Sequence, residues 1–125
     1  MSSPCIFCTL EESAIAQNGL AYAIEDRFPA AAGHSLIIPR RHILTVDELT
    51  ERETLAVAGL LKEVKEFIRN RYGADGFTIG INEGETAGQT VMHLHIHIIP
   101  RSRGDVADPR GGIRKVLPCR RRYGE

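Results

Sequence analysis

The chain has 125 residues, and its sixteen basic and sixteen acidic side chains cancel to a formal charge of zero at pH 7. That balance provides no overall field to draw it to nucleic acid or to an acidic membrane surface, and no stretch approaches the roughly 20 apolar residues of a spanning helix. A chain of this length can bury one core without disulfides, and three cysteines, two of them close together, fit reduced thiols or metal ligands in a cytoplasmic protein better than a secreted disulfide framework.

From the N-terminus, Cys5-Ile6-Phe7-Cys8 comes first. The CxxC spacing suits two thiolates on a tetrahedral zinc. A redox motif would want a strand before it and a helix opening at it, whereas this one stands close to the start of the chain. Zinc needs two further ligands, and His42, His93 and His34 are candidates in kind.

Leu20 to Asp26 reads as a strand, Arg27-Phe28-Pro29 with Gly33 as a turn, and His34 to Ile38 as the next strand, closed by Pro39. Ile43 to Leu49 is expected to be a loop with a short helical turn. Thr50 and Glu53 have capping-box spacing, and Val57, Leu60, Leu61, Val64, Phe67, Ile68 and Tyr72 then recur at helical period until Gly73. This predicts one long helix whose apolar stripe packs on a sheet.

Phe77 to Asn82 reads as a third strand, and the glycine-rich link Glu83 to Gly88 leads into the run from Met92 to Pro100. Three of the chain's five histidines stand there at every second position. In an extended chain alternate side chains share a face, so His93, His95 and His97 share one while Leu94, Ile96 and Ile98 share the other, with neighbouring imidazoles starting about 6.6 Å apart. A hairpin through the link brings Asn82 beside them. Alternation alone describes any half-buried strand, but such a strand fills its polar face with Thr, Lys or Glu. After Pro100 the chain turns polar, with Gly104, Pro109, Gly111 and Gly112, and is expected to wrap the surface, ending in the solvated basic run Arg120-Arg121-Arg122. There is no internal repeat and no interdomain linker.

A neutral imidazole is a competent nucleophile near pH 7 and can attack phosphorus to form a covalent intermediate that water resolves. Gly88-Gln89-Thr90, just before the histidines, offers backbone N–H groups, an amide and a hydroxyl for phosphate oxygens. A catalytic metal held by His93 and His95 is a rival use of the same side chains, although no carboxylate stands within the triad to complete it.

The run His93-Leu94-His95-Ile96-His97-Ile98-Ile99 resembles the signature of the histidine-triad (HIT) nucleotide-binding proteins. Gly33-His34-Ser35-Leu36-Ile37-Ile38-Pro39-Arg40-Arg41-His42 is similar to that family's upstream block, and Asn82-Glu83-Gly84 with Ala87 to Val91 is similar to its phosphate loop. On this resemblance a HIT domain spans residues 5–118 and a basic tail residues 119–125. The resemblance implies an α+β fold, a five-stranded antiparallel sheet packed against one long helix, in a homodimer that binds purine nucleotides and cleaves at the α-phosphate.

Carried over residue by residue, His95 resembles the nucleophile and His97 the histidine that contacts the phosphate. Gln89 joins them in the catalytic set, and Asn82, Gly88, Gln89 and Thr90 match phosphate-site positions. Asp26 resembles the acid that grips the ribose, and Ile6, Phe7, Leu10 and Ile24 fall where the family lines its purine pocket. Relatives with a CxxC coordinate zinc through the equivalents of Cys5, Cys8, His42 and His93. Asn82 resembles the phosphoramidate-hydrolase branch while Thr90 resembles the fragile-histidine-triad branch, so the leaving group stays open. The expected function is hydrolysis through a nucleotidyl-histidine intermediate; the alternative is a nucleotide-binding regulatory module with little turnover.

Overall fold

A computed structural model of the chain describes residues 5–118. The arginine run lies outside the described residues. Five strands, β1 (Ala16–Gln17), β2 (Ala21–Glu25), β3 (Ser35–Pro39), β4 (Gly76–Gly80) and β5 (Ile96–Arg101), form one antiparallel sheet in the order β1-β2-β3-β5-β4. One long helix, α1 (Glu51–Tyr72), lies on one face of it. This is the α+β arrangement expected from the sequence.

The helix begins where the capping box is. The Thr50 hydroxyl accepts the Glu53 N–H at 3.1 Å and the Glu53 carboxylate accepts the Thr50 N–H at 2.9 Å, which satisfies two of the N–H groups a helix start leaves unpaired. Gly73, at φ 73°, ends it. In between, Leu60, Val64 and Ile68 recur every fourth residue, are at most 1% exposed, and meet Ala21, Ala23, Ile37, Ile96 and Ile98 of the sheet. Each of these helix side chains contributes roughly 2 kcal/mol of burial free energy, and the alanines of β2 let the helix come close.

Alternation along the strands sends a second set of side chains to the opposite face. There Tyr22, Ile24, Leu36 and Ile38 pack with Phe7, and Leu10 lies against them. Short 3-10 turns at Ile6–Cys8 and Leu10–Ser13 carry the N-terminal segment onto this face, so the helix covers one side of the sheet and leaves the other to the site.

Two boundaries differ from the sequence reading. β5 starts at Ile96 rather than at His93, because its pairing with β3 ends at the Ile37–Ile96 pair and the preceding residues bond elsewhere: the Leu94 N–H donates to the Ile43 carbonyl at 2.6 Å and the His93 N–H to that of Val91 at 2.9 Å. β4 ends at Gly80, opposite His97, so Ile81 and Asn82 leave the sheet before the loop. The expected short turn is the 3-10 segment Val46–Glu48, capped by Thr45. No helix among the described residues is long and apolar enough to cross a membrane.

Candidate active site and metal centre

A cleft of about 370 Å³ opens on the face of the sheet away from the helix. Ile6, Phe7, Leu10, Ile24 and Leu36 line its apolar end, Asp26 stands on its wall, and Asn82, Gly88, Thr90, His95 and His97 line its polar end. Every residue expected to bind nucleotide is on this wall except Gln89. The position of His97 follows from its register: it pairs with Leu36 of β3 on one side and with Gly80 of β4, which has no side chain, on the other.

Backbone groups set the protonated nitrogen of each triad imidazole, because a carbonyl can only accept and an amide N–H only donate. His95 Nδ1 lies 2.8 Å from the His93 carbonyl, so Nδ1 carries the proton and Nε2 keeps a lone pair. The ring is 8% exposed, with Phe7 packed edge-on at 4.9 Å between centroids. Such an imidazole is oriented with Nε2 as the nitrogen available for nucleophilic attack.

His97 is set by a two-step chain. The Ala30 N–H donates to His34 Nδ1 at 2.9 Å, which leaves the His34 proton on Nε2, and that nitrogen lies 2.9 Å from His97 Nδ1. His97 therefore accepts at Nδ1 and carries its own proton on Nε2. Burial pushes both imidazoles below the ordinary histidine value; the nearby Asp26 carboxylate opposes this in each, while the neighbouring His95 adds to it at His97. Asp26 Oδ2, His34 and His97 also form a close donor group, but two imidazole nitrogens 2.9 Å apart share a hydrogen bond.

His93 is fixed the other way round. Its Nε2 donates to the Pro39 carbonyl at 2.7 Å, leaving the Nδ1 lone pair aimed at Cys5 Sγ, 3.2 Å away, and Cys8 Sγ, 3.6 Å away. His42 Nδ1 lies 3.4 Å from Cys8 Sγ. These two sulfurs and two nitrogens all fall within 4.8 Å of one another, a donor set of the kind that closes around a tetrahedral divalent ion. The Pro39 carbonyl fixes the His93 ring, as an acceptor behind a metal-binding histidine would. A catalytic metal shared by His93 and His95 does not suit this geometry, because His93 faces the cysteines.

Two expectations about the loop before the triad are corrected. The Gln89 side chain is 5% exposed and turns inward, accepting the Gly84 N–H at 2.9 Å and donating to the Val91 carbonyl at 3.2 Å, so it braces the loop instead of facing the cleft. The Gly88 and Gln89 N–H groups donate to the Glu85 and Gly84 carbonyls. The loop's side-chain polar contribution to the cleft wall is therefore Thr90, with Asn82 just beyond β4.

Arg27, Phe28 and Val91 also line the cleft, and His34 stands behind His97. The sequence reading weighed His34 only as a metal ligand. Its role depends on register between distant strands, and the one local signal is its place in the block Gly33 to His42 that is similar to the family's upstream block.

An antiparallel sheet that holds one imidazole with a free Nε2 beside a second with a donating Nε2–H, over a cleft that is apolar at one end, defines a nucleotide-handling protein of the histidine-triad class. The HIT domain family model matches residues 9–104, and the chain belongs to the HIT family. It is 35% identical over 105 residues to an uncharacterized HIT-like protein of Mycoplasma genitalium, covering 80% of this chain and 74% of that one. It is 36% identical over 86 residues to a bis(5′-adenosyl)-triphosphatase of Dictyostelium discoideum, covering 69% of this chain and 58% of the relative. The crystal structure of a zinc-bound histidine triad family protein from Mycobacterium smegmatis superposes with a TM-score of 0.73 at 28% identity, over 97% of this chain and 84% of that one.

Proposed function

We propose that the protein hydrolyses a purine nucleoside 5′-phosphate derivative at its α-phosphate, through a nucleotidyl intermediate on His95. The observation that carries this reading is the bond from His95 Nδ1–H to the His93 carbonyl, which leaves Nε2 as a lone pair at the polar end of the cleft. The base lies among Ile6, Phe7, Leu10 and Ile24, the ribose hydroxyls donate to Asp26, and the phosphate lies against Asn82, Thr90 and His97.

His95 Nε2 attacks phosphorus as the bond to the leaving atom breaks. That atom keeps the bonding pair and takes a proton from solvent, while the His97 Nε2–H donates a hydrogen bond to it. Water then adds its oxygen to phosphorus, the Nε2–P bond breaks with its pair returning to His95, and a proton goes back to solvent. The products are a nucleoside monophosphate and the protonated leaving group, and His95 ends as it began.

Cys5, Cys8, His42 and His93 hold zinc in this reading, and a closed site of this kind supplies rigidity, not chemistry. Reduced cysteines at such a site suit a reducing compartment such as the cytoplasm. The protein acts as a homodimer, and its partners are small nucleotides rather than nucleic acid.

The test is AMP release from adenosine 5′-phosphoramidate and from diadenosine triphosphate, by wild type and by His95→Ala. The expected result is turnover of at least one compound, lost in the variant, with AMP still bound. AMP binding with no turnover by wild type would favour the regulatory module.

A further inference from the structure

Arg27 stands where two concavities meet. It lines the nucleotide cleft next to Asp26, and with Leu10 and Ile24 it also lines a smaller pocket of about 260 Å³ whose further wall holds Ser13 and Glu25. Leu10 and Ile24 belong to the apolar end of the cleft, so the small pocket continues the cleft beyond the place proposed for the base.

Among the described residues Arg27 is the only Lys or Arg on the cleft wall, and its guanidinium makes no hydrogen bond or ion pair with any of them. The backbone on either side of it is nonetheless tied. The Asp26 N–H donates to the His34 carbonyl at 2.8 Å, and the Phe28 N–H donates to Asp26 Oδ1 at 3.0 Å. The carboxylate proposed to hold the ribose therefore also fixes the turn that carries Arg27, and with it the distance from ribose to guanidinium. Arg27 follows β2, which lies three strand spacings, roughly 14 Å, from the open edge of β4, so a second copy of the chain added at that edge leaves this end of the cleft open.

The two purine bases present opposite patterns to such a wall. Guanine carries the acceptors O6 and N7 side by side, with the donors N1–H and the 2-amino group next to O6. Adenine carries a donor amine in place of O6 and an acceptor at N1. A guanidinium meets O6 and N7 with two N–H donors, whereas the adenine amine would set donor against donor. The pocket beyond continues the guanine pattern. The Glu25 carboxylate, whose Oε1 accepts the Tyr72 hydroxyl, and the Ser13 hydroxyl can accept from N1–H and the 2-amino group.

We infer that Arg27 is the residue that reads the base and that the protein prefers guanine to adenine nucleotides. The inference rests on the proposed placement of the base among Ile6, Phe7, Leu10 and Ile24.

The experiment measures calorimetric Kd values of GMP and AMP for wild type, Arg27→Met and Arg27→Lys, and kcat/KM for guanosine and adenosine 5′-phosphoramidates. GMP is expected to bind wild type about tenfold more tightly than AMP, towards the low end of what a bidentate arginine discriminates because Arg27 is exposed to water, and kcat/KM should show the same preference. Arg27→Met, which keeps an unbranched apolar stem and removes the fork, should bring the affinity ratio close to one. Arg27→Lys, which keeps the charge as a single point, should leave it intermediate. A wild-type ratio near one, a ratio in favour of AMP, or a ratio that Arg27→Met leaves unmoved would overturn the base reading while leaving hydrolysis in place. Loss of turnover on both phosphoramidates with the binding ratio intact would overturn hydrolysis and not the base reading. No binding of either nucleotide by wild type would overturn both.

Discussion

His34 Nε2 lies 2.9 Å from His97 Nδ1, and the Ala30 N–H holds the other face of His34. A backbone amide thus decides, through one intervening ring, which nitrogen of His97 presents a proton to the cleft. His34 is a positioning residue. His34→Ala should lower kcat by about 10- to 100-fold, the usual cost of removing the partner that orients a working imidazole, while AMP affinity changes less than threefold. His34→Gln, which can still donate, should recover part of the loss. An equal fall in AMP affinity would mean that His34 merely supports the fold.

The same pair makes stability depend on pH. Both imidazoles titrate below their ordinary value of 6.5 in the folded protein, so as pH falls the unfolded chain takes up protons before the folded one does. Their contribution is complete above pH 6.5 and is lost as pH falls through the folded-state values. Thermal unfolding should therefore show a melting temperature that declines from pH 7.5 to pH 5.5, with a shallower decline in His34→Gln. A flat profile in wild type would contradict this account of their burial.

What could be read along the chain was what depends on near neighbours. The capping box at Thr50 and Glu53, the apolar period of α1, the alternation that puts Ile96 and Ile98 on the helix side and the CxxC all depend on spacings of a few residues. The nucleotide and metal residues were reached through resemblance to a family, and all but Gln89 fall together in space. His34 was undervalued because its partner lies 63 residues away. Gln89 was misjudged because proximity to a site in sequence says nothing of which way a side chain turns; its amide satisfies the Gly84 N–H and the Val91 carbonyl instead.

Glu53 does more than cap the helix. Its carboxylate, 4% exposed, accepts two bonds from Arg41 at 2.8 and 3.1 Å as well as the Thr50 N–H, and the Arg41 guanidinium holds it down to about 2. Glu53→Ala should cost about 2 kcal/mol, the sum of a lost cap and a broken charge-assisted pair. Because the folded value is depressed, wild type should lose this contribution as pH falls from about 4.5 towards 2, and chemical denaturation of the variant should show a flatter acid limb.

The Cys/His cluster and the apolar end of the cleft share one short segment. Ile6 and Phe7 line the cleft and stand between Cys5 and Cys8; the buried Tyr22 hydroxyl, pushed up to about 12 chiefly by its burial, donates to the Phe7 carbonyl. Zinc-loaded protein should bind one ion per chain, and Cys8→Ser should abolish it. Stripping the metal should weaken AMP binding by about tenfold, a coupling of about 1.4 kcal/mol, and AMP should tighten zinc binding by the same factor. Calorimetric titrations of AMP with and without zinc that agree would disconnect the two sites.

Covalent chemistry at His95 is the step on which the proposed hydrolysis depends most directly, and intact mass reads it. Wild type and His95→Ala would each be mixed with adenosine 5′-phosphoramidate, quenched at early times without acid, and weighed. The expected result is an adenylyl adduct on wild type, mapped to His95 and discharged as AMP appears, and none on the variant. AMP release by wild type with no adduct at any time, or an adduct that persists in His95→Ala, would contradict it.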